Sequence, residues 1–259
     1  MSEGANKKFI AQREQFLVQN MIVIRNPQQY LTVKKVDLKD PDAPLILDFD
    51  LVHDPSIKYV DSHGVKIKAY VLALMDIRKG YTLADDADGV LTAARNDPGI
   101  KKRTHAITAY YLPWDNNRHY ETKLGNAADY MFTPTLDGCS FVIGSGTSPR
   151  VSHLNYQNRE GRVDQPRIKE KIRKVFGDEG KKPTKLTLAD YSPNSHAEKL
   201  AGKTTMLTVA GFRDTASNTW SFYYQKRTQE MTAAYSAESG HLDRRKLDSQ
   251  SAGNWTLKA

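Results

Sequence analysis

Residues 144–150 (GSGTSPR) are built from turn-forming types and sit between two apolar runs, residues 141–143 (FVI) and 151–155 (VSHLN). Gly, Ser and Pro favour chain reversal, so the interval reads as the turn of a β-hairpin. The loop holds seven residues, an odd number, so Ile143 faces Val151 and odd positions face odd positions. Cys139 and His153 then project from the same face of adjacent strands. In that register they are diagonal neighbours, with Cα atoms about 7–8 Å apart. A turn tighter by one pair, with Val142 facing Arg150, sets them directly opposite at about 4.5–5.5 Å. A β-bulge would break the parity.

Much of the remaining chain is β-rich. Residues 30–38, 45–52, 65–77 and 104–112 are rich in Val, Ile, Leu and Tyr and are bounded by Pro, Asp or Gly. Residues 206–212 and 219–225 read as a second hairpin around 213–218. Residues 7–20 read as a short helix, 83–96 as a loop and short helix, and 115–124 as a polar loop. Asp164 is placed to cap a helix with Pro166 in its first turn. Ile168, Ile172, Val175 and Phe176 form its apolar stripe, and Gly177 stops it. The expected fold class is α+β: β-rich, two packed and mostly antiparallel sheets (a β-sandwich) with peripheral helices. Residues 1–8 are expected as a flexible N-terminus and 9–228 as a single catalytic domain. Residues 229–259 are expected as a mobile or partly helical tail.

Composition bounds the function. The 13 Tyr, 8 Phe and 3 Trp suffice for a core, which excludes a wholly disordered chain. No apolar run approaches the roughly 18 residues that span a bilayer, so no membrane span is expected. No signal peptide is visible in residues 1–8. With 38 basic against 30 acidic residues, the net charge of +8 favours an acidic partner. The densest basic block, residues 159–185, carries no helix-turn-helix or aromatic-platform pattern, so nucleic acid is not the expected partner. A single cysteine excludes an internal disulfide and any multi-cysteine zinc site. His53 and His63, with Asp54 and Asp61 nearby, lack a close His pair, and solvated loop residues are the simpler reading. Gly144-Ser145-Gly146 lacks the Lys-Ser/Thr ending of a phosphate loop. No metal and no cofactor are expected.

A thiol ionises near pH 8.5, and an adjacent imidazolium lowers that by several units. Cys139 beside His153 would then be a nucleophile with its own proton carrier. Gly138 removes a side chain next to the thiol and would let a substrate approach. The bland alternative is a buried, inert cysteine and a structural histidine. Trp114, with Asp115 and His119, would rim a substrate cleft, or form an ordinary loop with one anchoring aromatic.

Leu136-Asp137-Gly138-Cys139 followed by His153 resembles the Leu-Ser-Gly-Cys motif and downstream His of the cytotoxic necrotizing factor catalytic domains. It is also similar to Burkholderia lethal factor and, more distantly, to the bacterial chemoreceptor deamidases. The resemblance covers about residues 133–155, and Asp137 stands where that family has Ser. It implies a β-sandwich glutamine deamidase acting on a target protein through a Cys thioester. Cys139 would be the nucleophile and His153 the general acid/base. Thr133, six positions before the Cys, would orient the imidazole, with Thr135 a nearby competitor. It also implies a bacterial toxin or effector, made in the bacterial cytoplasm and secreted or injected into a target cell. A cysteine peptidase or transglutaminase would use the same pair, and a non-enzymatic basic β-sandwich binding module would use neither.

Overall fold

A computed structural model describes residues 3–24, 44–55, 57, 59–61, 65–76, 81–85, 91–93, 105–177, 182–230, 234–235, 242–243 and 249–257. Helices α1 (Glu3–Ala11) and α2 (Arg13–Gln19) lead into β1 (Asn20–Ile24). Then come β2 (Ile46–His53), β3 (Tyr59–Asp61), β4 (Lys66–Asp76), β5 (Tyr81–Asp85), β6 (Leu91–Ala93) and β7 (Ile107–Tyr111). The middle of the chain forms β8 (Arg118–Lys123), β9 (Tyr130–Leu136), β10 (Ser140–Ile143) and β11 (Arg150–Asn155). Helix α3 (Gln165–Phe176), β12 (Thr184–Leu186) and the short helices α4 (Leu188–Tyr191) and α5 (Ser195–Leu200) follow. The chain continues through β13 (Lys203–Asp214), β14 (Thr219–Glu230), β15 (Ala234–Tyr235), β16 (Leu242–Asp243) and β17 (Ser249–Leu257).

The protein is β-rich, with two principal sheets and a few helices. The larger sheet runs β2-β7-β9-β13-β14-β17-β3-β4-β5-β6, with β1 beside β4 and a further β2–β4 pairing. The smaller runs β12-β10-β11-β8. Pairing is mostly antiparallel; β1–β4, β7–β9 and β3–β17 are parallel.

Side-chain alternation sorts the larger sheet into two apolar clusters. Tyr111, Phe132 and Phe212 join Phe9, Phe16 and Leu17 of the N-terminal helices. Their chain neighbours Tyr110 and Met131 join Val209 and Phe222 in a second cluster, which also holds Phe141, Ile143 and Val151 of the smaller sheet. The opposite-facing residues of that smaller sheet, Val142 and Leu154, cluster with Ile168 and Phe176 of α3. This is the period-2 rule applied to strands whose two faces are both covered. No helix among the described residues is long and apolar enough to cross a membrane.

Several expectations change. Residues 3–8 are not a flexible end but the first turns of α1, where Asn6 is fully buried. Its Nδ2 donates to Asp50 Oδ1 and His105 O, and its Oδ1 accepts from the Leu51 amide. A polar side chain tolerates burial when its groups are bonded, as here, and composition does not reveal that. The polar loop expected at 115–124 contains β8, whose Tyr120 and Thr122 are buried while their neighbours are not. Alternation outweighed polarity there. Residues 83–96 hold β5 and β6 among their described positions, not a helix. The expected tail from 229 carries the end of β14 and then β17, which pairs along β14. A Ser-rich segment can still supply backbone donors and acceptors to an open sheet edge. The strand expected at 30–38 lies outside the described residues.

Candidate functional site

The hairpin forms in the looser of the two expected registers. Ile143 pairs with Val151 and Phe141 with His153, and the Gly144 amide closes the loop on Arg150 O at 2.7 Å. Cys139 lies one residue before β10, outside the paired strand, and its side chain joins Phe141, the strand partner of His153, in the apolar cluster between the sheets. His153 is flanked by Phe141 on one side and Tyr120 of β8 on the other.

From the larger sheet, Thr133 on β9 reaches His153: its Oγ1 lies 2.7 Å from Nδ1. The same hydroxyl donates its one proton to Leu112 O at 2.9 Å. Towards the ring it must therefore accept, so Nδ1 carries the hydrogen and Nε2 is left with a lone pair. Nε2 is buried and has no hydrogen-bond partner. The choice between Thr133 and Thr135 comes from a bulge. Thr133 pairs with Val209 and Leu136 with Leu207, so β9 spends one more residue than β13 across Pro134 and Thr135. Proline, with no amide to offer the ladder, is suited to such a break. The extra residue sends Thr135 away from the imidazole, to Ile24 O and the Arg227 guanidinium.

The thiol is held by different groups. Trp114, on the stretch between β7 and β8, donates its indole N–H to Cys139 Sγ at 3.0 Å. The Asp137 amide donates to the sulfur as well. Trp114 thus covers the thiol rather than rimming an open cleft. Gly138 has φ +86, and a Cβ there would meet only Val163 at 3.7 Å. Its requirement for glycine is the left-handed backbone that turns the chain from one sheet to the other.

Tyr191, on α4, was not singled out in the sequence. Its hydroxyl accepts from the Gly138 amide at 2.9 Å and donates to Cys139 O at 3.0 Å. One phenol thereby fixes both ends of the Gly138–Cys139 step. Only its place in the third dimension reveals it.

Both groups are buried, Cys139 at 2% exposure and His153 at 1%. Burial pushes the thiol up to about 12, against the opposing donation from Trp114 and the Asp137 amide. Burial also holds His153 down to about 3. The expectation of a thiolate beside an imidazolium is corrected: both groups rest neutral, because desolvation disfavours either charge.

Of the remaining candidates, His119 turns to Tyr156, its Nδ1 2.9 Å from the hydroxyl, and Asp115 pairs with Arg118 at 3.4 Å. His53 is exposed beside the Tyr70 ring, while His63 lies outside the described residues. No group of three His, Cys, Asp or Glu converges on a metal position among the described residues.

No protein-family model matches the chain, and no curated protein matches it.

Proposed function

We propose that the chain is a thiol-dependent deamidase, with a β-sandwich built from its two sheets, that converts a glutamine of a target protein to glutamate. The observation that carries this reading is the oriented imidazole: Thr133 fixes the Nδ1–H tautomer and leaves the buried Nε2 bare, on the strand that pairs with the one Cys139 leads into. A structural histidine has no need of an unbonded buried nitrogen, whereas a general base does.

In this mechanism Cys139 Sγ attacks the carboxamide carbon while its proton passes to His153 Nε2. The imidazolium then gives that proton to the departing nitrogen, and ammonia leaves a thioester. His153 next takes a proton from water; hydroxide adds to the thioester carbon, and the released thiolate regains the proton. Oxyanion stabilisation falls to the Cys139 amide, since the Gly138 amide is already given to Tyr191. Entry of a carboxamide requires Trp114 to leave the sulfur, and the polar group that enters brings both pKa values back towards their ordinary range. The toxin or effector role, with delivery into another cell, belongs to the same proposal.

One observation favours a non-catalytic binding module instead: the full burial of thiol and imidazole. Intact-mass analysis of acidic candidate proteins, with ammonia release followed in parallel, separates the readings. Deamidation gives ammonia and the small mass gain of an amide becoming an acid. Cleavage indicates a peptidase, a crosslink indicates a transglutaminase, and no product on any target with Trp114→Ala also silent indicates a binding module.

A further inference from the structure

The segment after β11 is strongly basic and lies against the two stretches that enclose the thiol. Residues 157–176 hold seven basic side chains against three acidic ones. Of those acids, Asp164 is committed to the cap of α3 and Glu160 to Arg162 at 3.2 Å. The loop that opens the segment is well braced. The Asn158 amide donates to Arg162 O, its side chain accepts from the Glu160 and Arg162 amides, and Gln157 bridges Val163. Arg159 and Arg162 stand exposed on it.

Two contacts tie this loop to the site. Val163 Cγ2 lies 3.7 Å from where a Cβ on Gly138 would stand, and the Gln157 amide donates to Asn117 Oδ1, three residues beyond Trp114. Along α3, Lys169, Arg173 and Lys174 are exposed, while Ile168 and Phe176 are buried. The field of this face is felt at His119, lowered to about 4 by burial first and then by Lys171 and Lys174.

We propose that the surface formed by the 157–163 loop and the outer side of α3 is the docking surface for an acidic region of the protein whose glutamine enters at Cys139. That the partner is the substrate rests on the deamidase reading; that the surface selects an acidic polypeptide rests on its charge and its place. Remote contacts of this kind position a reacting side chain without touching it, and like charges turn away basic surfaces.

The test is fluorescence anisotropy with a fluorescein-labelled oligomer of L-glutamate, at low and high salt. It compares wild type with Arg159→Glu/Arg162→Glu/Lys169→Glu and with a control of equal charge change, Lys8→Glu/Lys66→Glu/Lys68→Glu. The control residues line a separate cleft with Gln12 and Tyr70. The first variant is expected to weaken binding about tenfold at low salt and the control less than about twofold, with salt erasing the difference. Circular dichroism melts and the alkylation rate of Cys139 should match wild type in both. If the triple reversal does not fold, Arg159→Gln/Arg162→Gln takes its place, with about a threefold loss expected. Equal losses in variant and control, or no loss in either, overturn the proposal. So does tighter binding of a DNA duplex that the same reversal abolishes, since the surface would then serve nucleic acid. If the anisotropy result holds but no target releases ammonia, the deamidase reading fails and the surface stands. Ammonia release that is indifferent to the reversal removes the surface alone.

Discussion

Cys139 and His153 rest uncharged, and this has a direct kinetic signature. Alkylation by iodoacetamide proceeds through the thiolate. With the thiol pushed up to about 12, the rate should be low at neutral pH and climb without a plateau through the alkaline range. A plateau reached near pH 8.5, as for an ordinary thiol, would contradict the buried, indole-capped sulfur. Activity variants probe the other half of the pair. On the deamidase reading, Cys139→Ser and His153→Ala should each abolish ammonia release, because members of one nucleophile–base unit fail together. Thr133→Val should lower kcat by about tenfold or more by freeing the ring, while Thr135→Val, whose hydroxyl meets Ile24 O and Arg227, should leave it unchanged. Equal effects from the two threonines would remove the tautomer argument.

The elements that hold the site differ in how openly they announce themselves. The β10–β11 hairpin was legible because its turn and its alternation are both local. Strand β9 has no comparable local signal, because Pro134 interrupts it, and pairing with β13 turns that interruption into a bulge inside a paired strand. Helix α4 is four residues long and has no periodicity to detect, yet its Tyr191 clamps the chain next to the thiol. Tyr191→Phe keeps the ring in the core and removes the bridge, leaving the Gly138 amide and Cys139 carbonyl without it. A cost of about 1–3 kcal/mol in denaturant unfolding is expected. On the larger sheet, Gly211 makes room for the cross-strand Phe222 ring, whose Cε1 would lie 2.9 Å from an added Cβ, with Met131 Cβ at 3.2 Å. Gly211→Ala should destabilise by about 1–3 kcal/mol through overpacking. An unchanged unfolding midpoint would mean the larger sheet yields there more easily than these contacts indicate.

For the molecule as a whole, the buried titratable groups define a pH window. His153 and His119 are lowered from 6.5 to about 3 and about 4, so below pH 6.5 the unfolded chain takes up protons the folded one refuses. Stability should fall as pH drops through that range. Cys139 is raised from 9.0 to about 12, so above pH 9 the unfolded chain loses a proton that the folded one keeps, and stability should fall again. His153 and Cys139, both deeply buried, each contribute up to about 1.4 kcal/mol per pH unit within their own intervals, and the half-buried His119 less, because solvent screens it. Thermal melts across pH should show both limbs, with the acid limb shallower in His153→Phe and the alkaline limb shallower in Cys139→Ala. A flat profile on the acid side would show that His153 is hydrated in solution.

What the sequence determined by itself is the β10–β11 hairpin with His153 on it, the second hairpin at β13–β14 and the capped helix α3. These follow from alternation, turn chemistry and capping, which act between residues close along the chain. Only the tertiary structure decided that Thr133 rather than Thr135 meets the imidazole, because a bulge set by pairing with β13 shifts one past the other. It also decided that Trp114 caps the sulfur, that Tyr191 pins the turn and that α1 anchors the N-terminus through Asn6. The charge states of the pair were beyond reach for the same reason. They depend on desolvation, which is set by every side chain that closes over a group and by none of its neighbours in sequence alone.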